Sequence, residues 1–370
     1  MEVSIRYVSD RIQELRKGIS KNDVGLEVGP FFRPICPKKE GFQVVTLDVF
    51  SRKELIEKYA KDPNVYPYFD DIEKVDIVSS KSLLEAVSSS GIYKLQPSVS
   101  KIFDYIITSH HFEHLANPVQ FLRDAEKLLK EQGSLTMAIP IHTRCFDLYK
   151  PLSSTGKLID AYINKQTSPS LGTVFNHLTL GAHKKDGLPI GSPNQCNKDL
   201  KLIWDELETF QTDPNFSKEA WFKQLASNHS NGYIDANCNF FNPISFCLII
   251  ADLKMLGLLN ELQVHDISEH REEFIVHLKK GKPLDKIQCS ELTRTEIVQA
   301  AIQYSVSELL NVENSVTPRP EIEASLYLDA ILNSRSWKIT KPYRALGRLL
   351  HKLLIKMGKS KKTLGSNFIT

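Results

Sequence analysis

The chain has 370 residues, 41% of them apolar and 25% charged, with a formal net charge of +3. That balance is ordinary for a folded globular protein and leaves room for one large domain with additions, or for two domains. No run of about 18 uncharged apolar residues occurs, which argues against a transmembrane helix, and the charged stretch 1–18 lacks the apolar core of a signal peptide.

The charge is unevenly placed. Residues 335–370 hold ten Lys or Arg and no acid, whereas the other 334 residues carry 37 basic and 44 acidic side chains. An acidic body with a basic tail is not the footprint of a nucleic-acid binder, whose basic surface lies on the folded domain. The six cysteines, Cys36, Cys145, Cys196, Cys238, Cys247 and Cys289, form no CxxC pair. Their scatter suits reduced thiols in a cytoplasm better than a disulfide scaffold or a zinc site.

In chain order, Asp10 is placed to cap a short helix over Arg11–Lys17, with Gly18 as its stop. Val24–Val28 is a short apolar run entering a turn at Gly29-Pro30, and Phe42–Leu47 is a second run ending at Asp48. Ser51 with Glu54 reads as a capping box for a helix reaching about Lys61, and Ser82 with Glu85 as another. Val75–Val78 is a third strand candidate and Gly91–Ser100 a loop. Ile102–Thr108, apolar at nearly every position, predicts a parallel strand buried on both faces. Asn117-Pro118 starts a helix, with proline at its first position, that Gly133 is expected to end; Ser134–Ile139 is another buried strand.

After Pro140 the alternation lapses. Residues 143–237 read as an insertion, with seven prolines or glycines within 169–193 and polar helical stretches such as Asn197–Phe210. The pattern returns with a helix from Asn242-Pro243, whose Phe246, Ile249, Ile250, Leu253 and Leu256 share a face and which Gly257 stops. Leu262–Asp266 and Glu273–Leu278 follow as strands joined by a charged turn. Residues 283–333 are predicted mainly helical over Leu292–Leu310, with a break at Thr317–Pro320. Alternating strands and helices imply an α/β domain with a parallel sheet.

The chemistry-bearing residues sit at strand ends. Gly29 permits close backbone approach to a ligand, and an acid at the end of the second strand, Asp48, can accept hydrogen bonds from both hydroxyls of a ribose. The segment Phe103-Asp104-Tyr105-Ile106-Ile107-Thr108-Ser109-His110-His111-Phe112-Glu113-His114, ending Asn117-Pro118, resembles the FD-strand-SHxxEHxxxP signature of class I S-adenosylmethionine (SAM)-dependent methyltransferases. Glu27 and Gly29 match the first motif of that family and Asp48 its ribose-binding acid, so the resemblance covers 24–140, and more loosely 242–278. It implies a Rossmann-like seven-stranded methyltransferase sheet with a mainly helical insertion and a helical C-terminal extension. Domains are then expected at 1–282 (insertion about 143–240), 283–334 for the extension and linker, and 335–370 for the tail.

The resemblance implies SAM as cofactor, bound by Glu27, Gly29, Asp48, Ser109 and His110. The family's glycine-rich turn is replaced here by Gly29-Pro30-Phe31-Phe32-Arg33-Pro34. Proline offers no N–H, so any helix after the turn must be short or absent, and Arg33 stands in as a partner for the methionine carboxylate. His110, His111 and His142 are the candidate general bases, since imidazole titrates near neutrality. His114 reads instead as a loop-holding residue. Asp147, His177 and His183 are further candidates to face substrate. A metal set of His110, His111, Glu113 and His114 lacks a distant ligand, so no metal is expected.

The turn and the Ile139–Asp147 stretch resemble bacterial methyltransferases linked to surface-polysaccharide synthesis. Asn333–Arg344 resembles the C-terminal tails of bacterial polysaccharide glycosyltransferases. These imply methyl transfer to a sugar or glycan hydroxyl, with a glycosyltransferase partner. The alternative is a non-catalytic methyltransferase-fold scaffold in a glycosyltransferase complex. In the tail, Leu346, Leu349, Leu350, Leu353, Leu354 and Met357 follow the spacing of one helical face beside Arg344, Arg348, Lys352 and Lys356. That pattern fits an anionic membrane surface or, equally, packing on the domain. The expected location is cytoplasmic, peripheral to the inner membrane face.

Overall fold

The computed structural model describes residues 5–63, 65–92, 101–184, 200–202, 236–281 and 293–314. The chain divides into a unit of residues 1–315 and a unit of residues 316–370; the second lies outside the described residues, and with it the tail and the expected break at 317–320. Most of the 91–100 loop and the interior of the insertion also lie outside them.

Eight strands form one sheet: β1 (Arg6–Tyr7), β2 (Val24–Val28), β3 (Gln43–Asp48), β4 (Ile77–Val78), β5 (Phe103–Ser109), β6 (Leu129–Pro140), β9 (Leu262–His270) and β10 (Glu273–Lys280). Their order is β1-β9-β10-β6-β5-β2-β3-β4. Every neighbouring pair is parallel except the two made by β10, which runs antiparallel to both β6 and β9. Seven of these strands are the expected methyltransferase sheet. The eighth, β1, is a two-residue edge strand with no apolar run to announce it.

Both faces of the sheet are covered, which explains the unbroken apolar character of β5. Phe103 and Ile106 enter one core with Leu135, Met137, Phe274 and Val276, while Tyr105 and Ile107 enter the other with Leu15, Ile35, Phe42 and Ile275. The first core is closed by α3 (Leu83–Ser89), α4 (Pro118–Leu128) and α7 (Pro243–Met255). The second is closed by α1 (Arg11–Leu15) and the extended Ile35–Phe42 segment, which holds only one turn of 3-10 helix, Lys38–Glu40. The turn Gly29–Pro34 is therefore followed by no α-helix, as its prolines predict.

Local signals held unevenly. Asp10 accepts from the Gln13 amide, and Ser51 and Glu54 form a reciprocal capping box opening α2 (Arg52–Lys58). The box expected at Ser82 and Glu85 does not form. Asp124, reaching across from α4, accepts from the Leu84 amide at 3.2 Å and takes over the cap. Helix α4 stops at Leu128 rather than Gly133, and β6 begins at once. Two residues of β5, from Phe103 to Tyr105, span five of β6, from Leu129 to Ser134, so Gly133 sits in a bulge instead of ending a helix. Leu256, expected on the buried face of α7, is 51% exposed, because the helix has already ended at Met255.

Ile141 and Phe241 pair as an isolated parallel bridge where the chain leaves and rejoins the sheet. Between them lie α5 (Thr155–Ile163), α6 (Leu171–Leu180) and a hairpin of β7 (Ala182–Lys184) with β8 (Leu200–Leu202). Leu200–Leu202 is thus strand, not part of the helix expected over Asn197–Phe210; the alternating Leu-Lys-Leu suits a hairpin. Beyond β10, α8 (Arg294–Asn314) packs on α7, and Arg144 ties it down through Glu308 at 2.7 Å and Tyr304 at 3.1 Å.

Candidate active site

Val28, Asp48, Ser109 and Pro140 end four parallel strands on one edge of the sheet, where ligands of open α/β sheets bind. Glu273 opens the antiparallel strand opposite Pro140 and so lies on the same edge.

Gly29 follows β2 with φ +68°, and a Cβ built there would meet no atom within 4 Å, so its backbone faces open space. Its amide donates to the Leu47 carbonyl at 2.8 Å, which fixes the turn against β3. Asp48 Oδ1 accepts from the Phe50 amide at 3.0 Å, and burial raises the carboxyl's pKa. Both features suit the ribose end of a nucleoside.

Glu27, one residue before the end of β2, binds the segment that follows the turn. It is 1% exposed, and its two oxygens accept from the amides of Ile35 (2.6 Å) and Cys36 (2.9 Å). Burial pushes its pKa up to about 7. It holds the proline turn from within, supplying acceptors that a following helix would otherwise provide. Arg33 stacks on Phe32 at 5.1 Å and Tyr68 at 5.5 Å, so the guanidinium is held by aromatic faces.

Ser109 and His110 belong to a charged cluster. Arg11 reaches from α1 to the Ser109 hydroxyl at 2.5 Å and to Glu273 at 2.5 and 3.1 Å. Glu273 accepts from His110 Nε2 at 2.8 Å, and His110 Nδ1 lies 3.5 Å from Glu113. The His110 backbone is left-handed, φ +49°, a position unusual for a side-chain-bearing residue. Burial alone would lower the His110 pKa, but hydrogen bonds and charge from Glu113 and Glu273 outweigh it and raise it to about 10. For Glu273, burial would raise the pKa, yet His110 and Arg11 bring it down to about 2. That raised pKa favours the imidazolium form, which the two carboxylates hold between them.

The other two histidines shift the opposite way. Burial lowers His111 and His142 to about 4. His111 packs its ring 5.4 Å from that of Phe121, and each of the two has a buried Nδ1 without a hydrogen-bond partner. His142 follows β6 directly, and its amide donates to the Phe241 carbonyl at 3.0 Å. His177 packs its ring against Phe146 in the insertion, 6.4 Å between centroids. Among the described residues, no group of three His, Cys, Asp or Glu is arranged to hold a metal ion.

Residues 4–158 match the model of a protein family described as a methyltransferase domain. No curated protein matches the sequence. Similar solved structures include a SAM-dependent methyltransferase from Aquifex aeolicus (10% identity, TM-score 0.29, 73% of this chain and 90% of that one). Another is a SAM-dependent methyltransferase from Methanosarcina mazei (10%, TM-score 0.32, 74% and 98%). A third is a protein provisionally described as a Zn-dependent alcohol dehydrogenase, from Rhodobacter sphaeroides (10%, TM-score 0.38, 75% and 92%). Likeness at this level carries no inference about substrate.

A bound SAM would supply a methyl group already activated on a sulfonium. The open approach at Gly29 and the partly desolvated carboxylate of Asp48 fit it. Reading the sequence missed Arg11 and Glu273. The only trace of the latter is an acid placed immediately before the apolar run Phe274–Val276.

Proposed function

We propose that the enzyme methylates a hydroxyl of a sugar or glycan, with SAM held at Gly29, Asp48 and Ser109. The reading is carried by one observation: two histidines just past the strand ends, His111 and His142, have their pKa lowered by burial and each keeps a buried Nδ1 without a hydrogen-bond partner. In the transfer, a hydroxyl oxygen forms a bond to the methyl carbon as the C–S bond breaks, and the hydroxyl proton passes to an imidazole nitrogen. A base with a pKa near 4 suffices, because a hydroxyl becomes strongly acidic as it is alkylated. His110, held between Glu113 and Glu273, orients the loop rather than moving a proton.

The proposed catalytic domain is 1–282. Its insertion, about 143–240, shapes the acceptor site; 283–334 forms an extension and 335–370 a basic tail. The tail's paired leucine and cationic stripes support attachment to the anionic inner membrane face, beside a glycosyltransferase, where surface-polysaccharide precursors are built. Among the described residues no helix is long and apolar enough to cross a membrane.

The test is to incubate the protein with SAM and a panel of oligosaccharide, amine and carboxylate acceptors and to weigh the products. A sugar gaining one methyl group supports the reading; transfer only to amines or carboxylates refutes it. Binding of anionic liposomes by the full chain, but not by a chain ending at residue 334, supports the membrane role.

A further inference from the structure

Helix α1 precedes the long strands in the chain, yet its first residue, Arg11, reaches the edge where they end. Its backbone is fixed. The Gln13 amide donates to Asp10 at 2.9 Å, the Val8 amide to the Glu269 carbonyl at 2.8 Å, and Leu15 is fully buried in the second core. Just past the helix, Arg16 Nε donates to the Ile35 carbonyl at 2.6 Å.

Two groups share the Arg11 guanidinium. Nε and Nη2 meet the two oxygens of Glu273 at 2.5 and 3.1 Å, and Nη2 also meets Ser109 Oγ at 2.5 Å. The side-on grip on the carboxylate orients the planar guanidinium and so directs its bond to the serine. A guanidinium only donates, so Ser109 Oγ accepts, and its own hydroxyl hydrogen is left for another acceptor. Among the described residues no acceptor meets that hydrogen. The group borders solvent: the Arg11 side chain is 27% and the His110 side chain 50% exposed, and Ser109 is half-buried.

Strand order says which part of a ligand comes here. Strands β5 and β3 flank β2, so Ser109 and Asp48 end strands two spacings apart, roughly 10 Å. A nucleoside with its ribose at Asp48 occupies one end of that span and leaves the other to its substituent. In SAM that substituent is an amino acid, whose carboxylate is an acceptor of the kind Ser109 lacks.

We infer that Arg11 is a positioning residue for the cofactor, committing the Ser109 hydroxyl to donate to the carboxylate at the amino-acid end of SAM. The inference rests on the SAM site proposed at Gly29, Asp48 and Ser109, and its test separates the two.

Calorimetric titration with S-adenosylhomocysteine and with methylthioadenosine, which lacks the amino-acid end, provides the comparison. Arg11→Met should weaken S-adenosylhomocysteine binding about threefold to tenfold and leave methylthioadenosine binding unchanged. Ser109→Ala should give the same selective loss, and the double variant no more than either alone, because Arg11 acts through the serine. Loss of the Glu273 grip should lower the melting temperature equally with Ser109 present or replaced, so stability and coupling report separate roles. Where Arg11→Met does not fold, Arg11→Lys, which keeps a charge for Glu273, should show the same selectivity to a smaller extent. Equal weakening of both nucleosides, losses that add in the double variant, or no loss at all overturns the inference and leaves the cofactor site standing. A wild-type protein that binds neither nucleoside overturns both.

Discussion

Glu273 and His110, 163 residues apart in the chain, meet at 2.8 Å on the edge of the sheet where four parallel strands end. Arg11 closes the group from the amino-terminal helix through Glu273 and Ser109. The strand candidate, the histidine motif and the first helix, three separate signals in sequence, are thus one ionic cluster.

That cluster makes stability depend on pH with a sign that can be checked. The His110 pKa is raised from 6.5 to about 10, so its contribution is complete below 6.5 and disappears as pH rises through 10. The Glu273 pKa is lowered from 4.5 to about 2, so its contribution is complete above 4.5 and is lost as pH falls through 2. The melting-temperature difference between wild type and Glu273→Gln should therefore be largest between pH 4.5 and 6.5 and shrink on either side. A difference that does not vary with pH contradicts the pairing.

The other two histidines act in the opposite sense. His111 and His142 are lowered from 6.5 to about 4, so acidification from 6.5 to 4 protonates the unfolded chain first and destabilises the fold. His142→Gln should flatten this acid limb of the melting-temperature profile. A limb of the same slope in the variant would remove His142 as its source.

For catalysis, His142→Ala or His111→Ala should lower turnover by roughly a hundredfold with SAM affinity nearly intact. His110→Ala should act differently, weakening the loop and reducing turnover and SAM affinity together. If His110→Ala alone removed turnover, with SAM binding unchanged, the protonation argument would be wrong.

Gly25 in β2 lies under the ring of Tyr105 on the neighbouring strand, and a Cβ there would overlap that ring. Gly25→Ala should cost about 1–3 kcal/mol of stability by overpacking. Adding Tyr105→Leu should recover part of the loss in denaturant titration, since the obstructing ring is gone. A Gly25→Ala protein as stable as wild type would mean that Tyr105 has another place to go.

Strands β2, β3, β5 and β6 were legible because burial on both faces leaves a continuous apolar run, and Gly29 and Asp48 because turn chemistry and strand ends are local. Three features were not legible, for the same reason. Glu27 also accepts from the Ile35 and Cys36 amides, an arrangement visible only once the proline segment is folded over the sheet. The cap of α3 comes from Asp124, 40 residues away from Leu84, and outcompetes a plausible local box. The His110 charge is favoured by the local Glu113 and also by Glu273, which only the sheet brings beside it. Local patterns report backbone conformation well, but the partner of a buried charge is decided by topology.

The central claim is a SAM site at Gly29 and Asp48, and calorimetric titration with SAM tests it most directly. Wild type should bind at one saturable site, and Asp48→Ala should weaken binding by about 1–3 kcal/mol, because the ribose hydroxyls lose a charged acceptor. Gly29→Val, which fills the open approach, should abolish binding while the circular dichroism stays native. Native-like Asp48→Ala and Gly29→Val proteins that bind SAM as tightly as wild type would contradict the account.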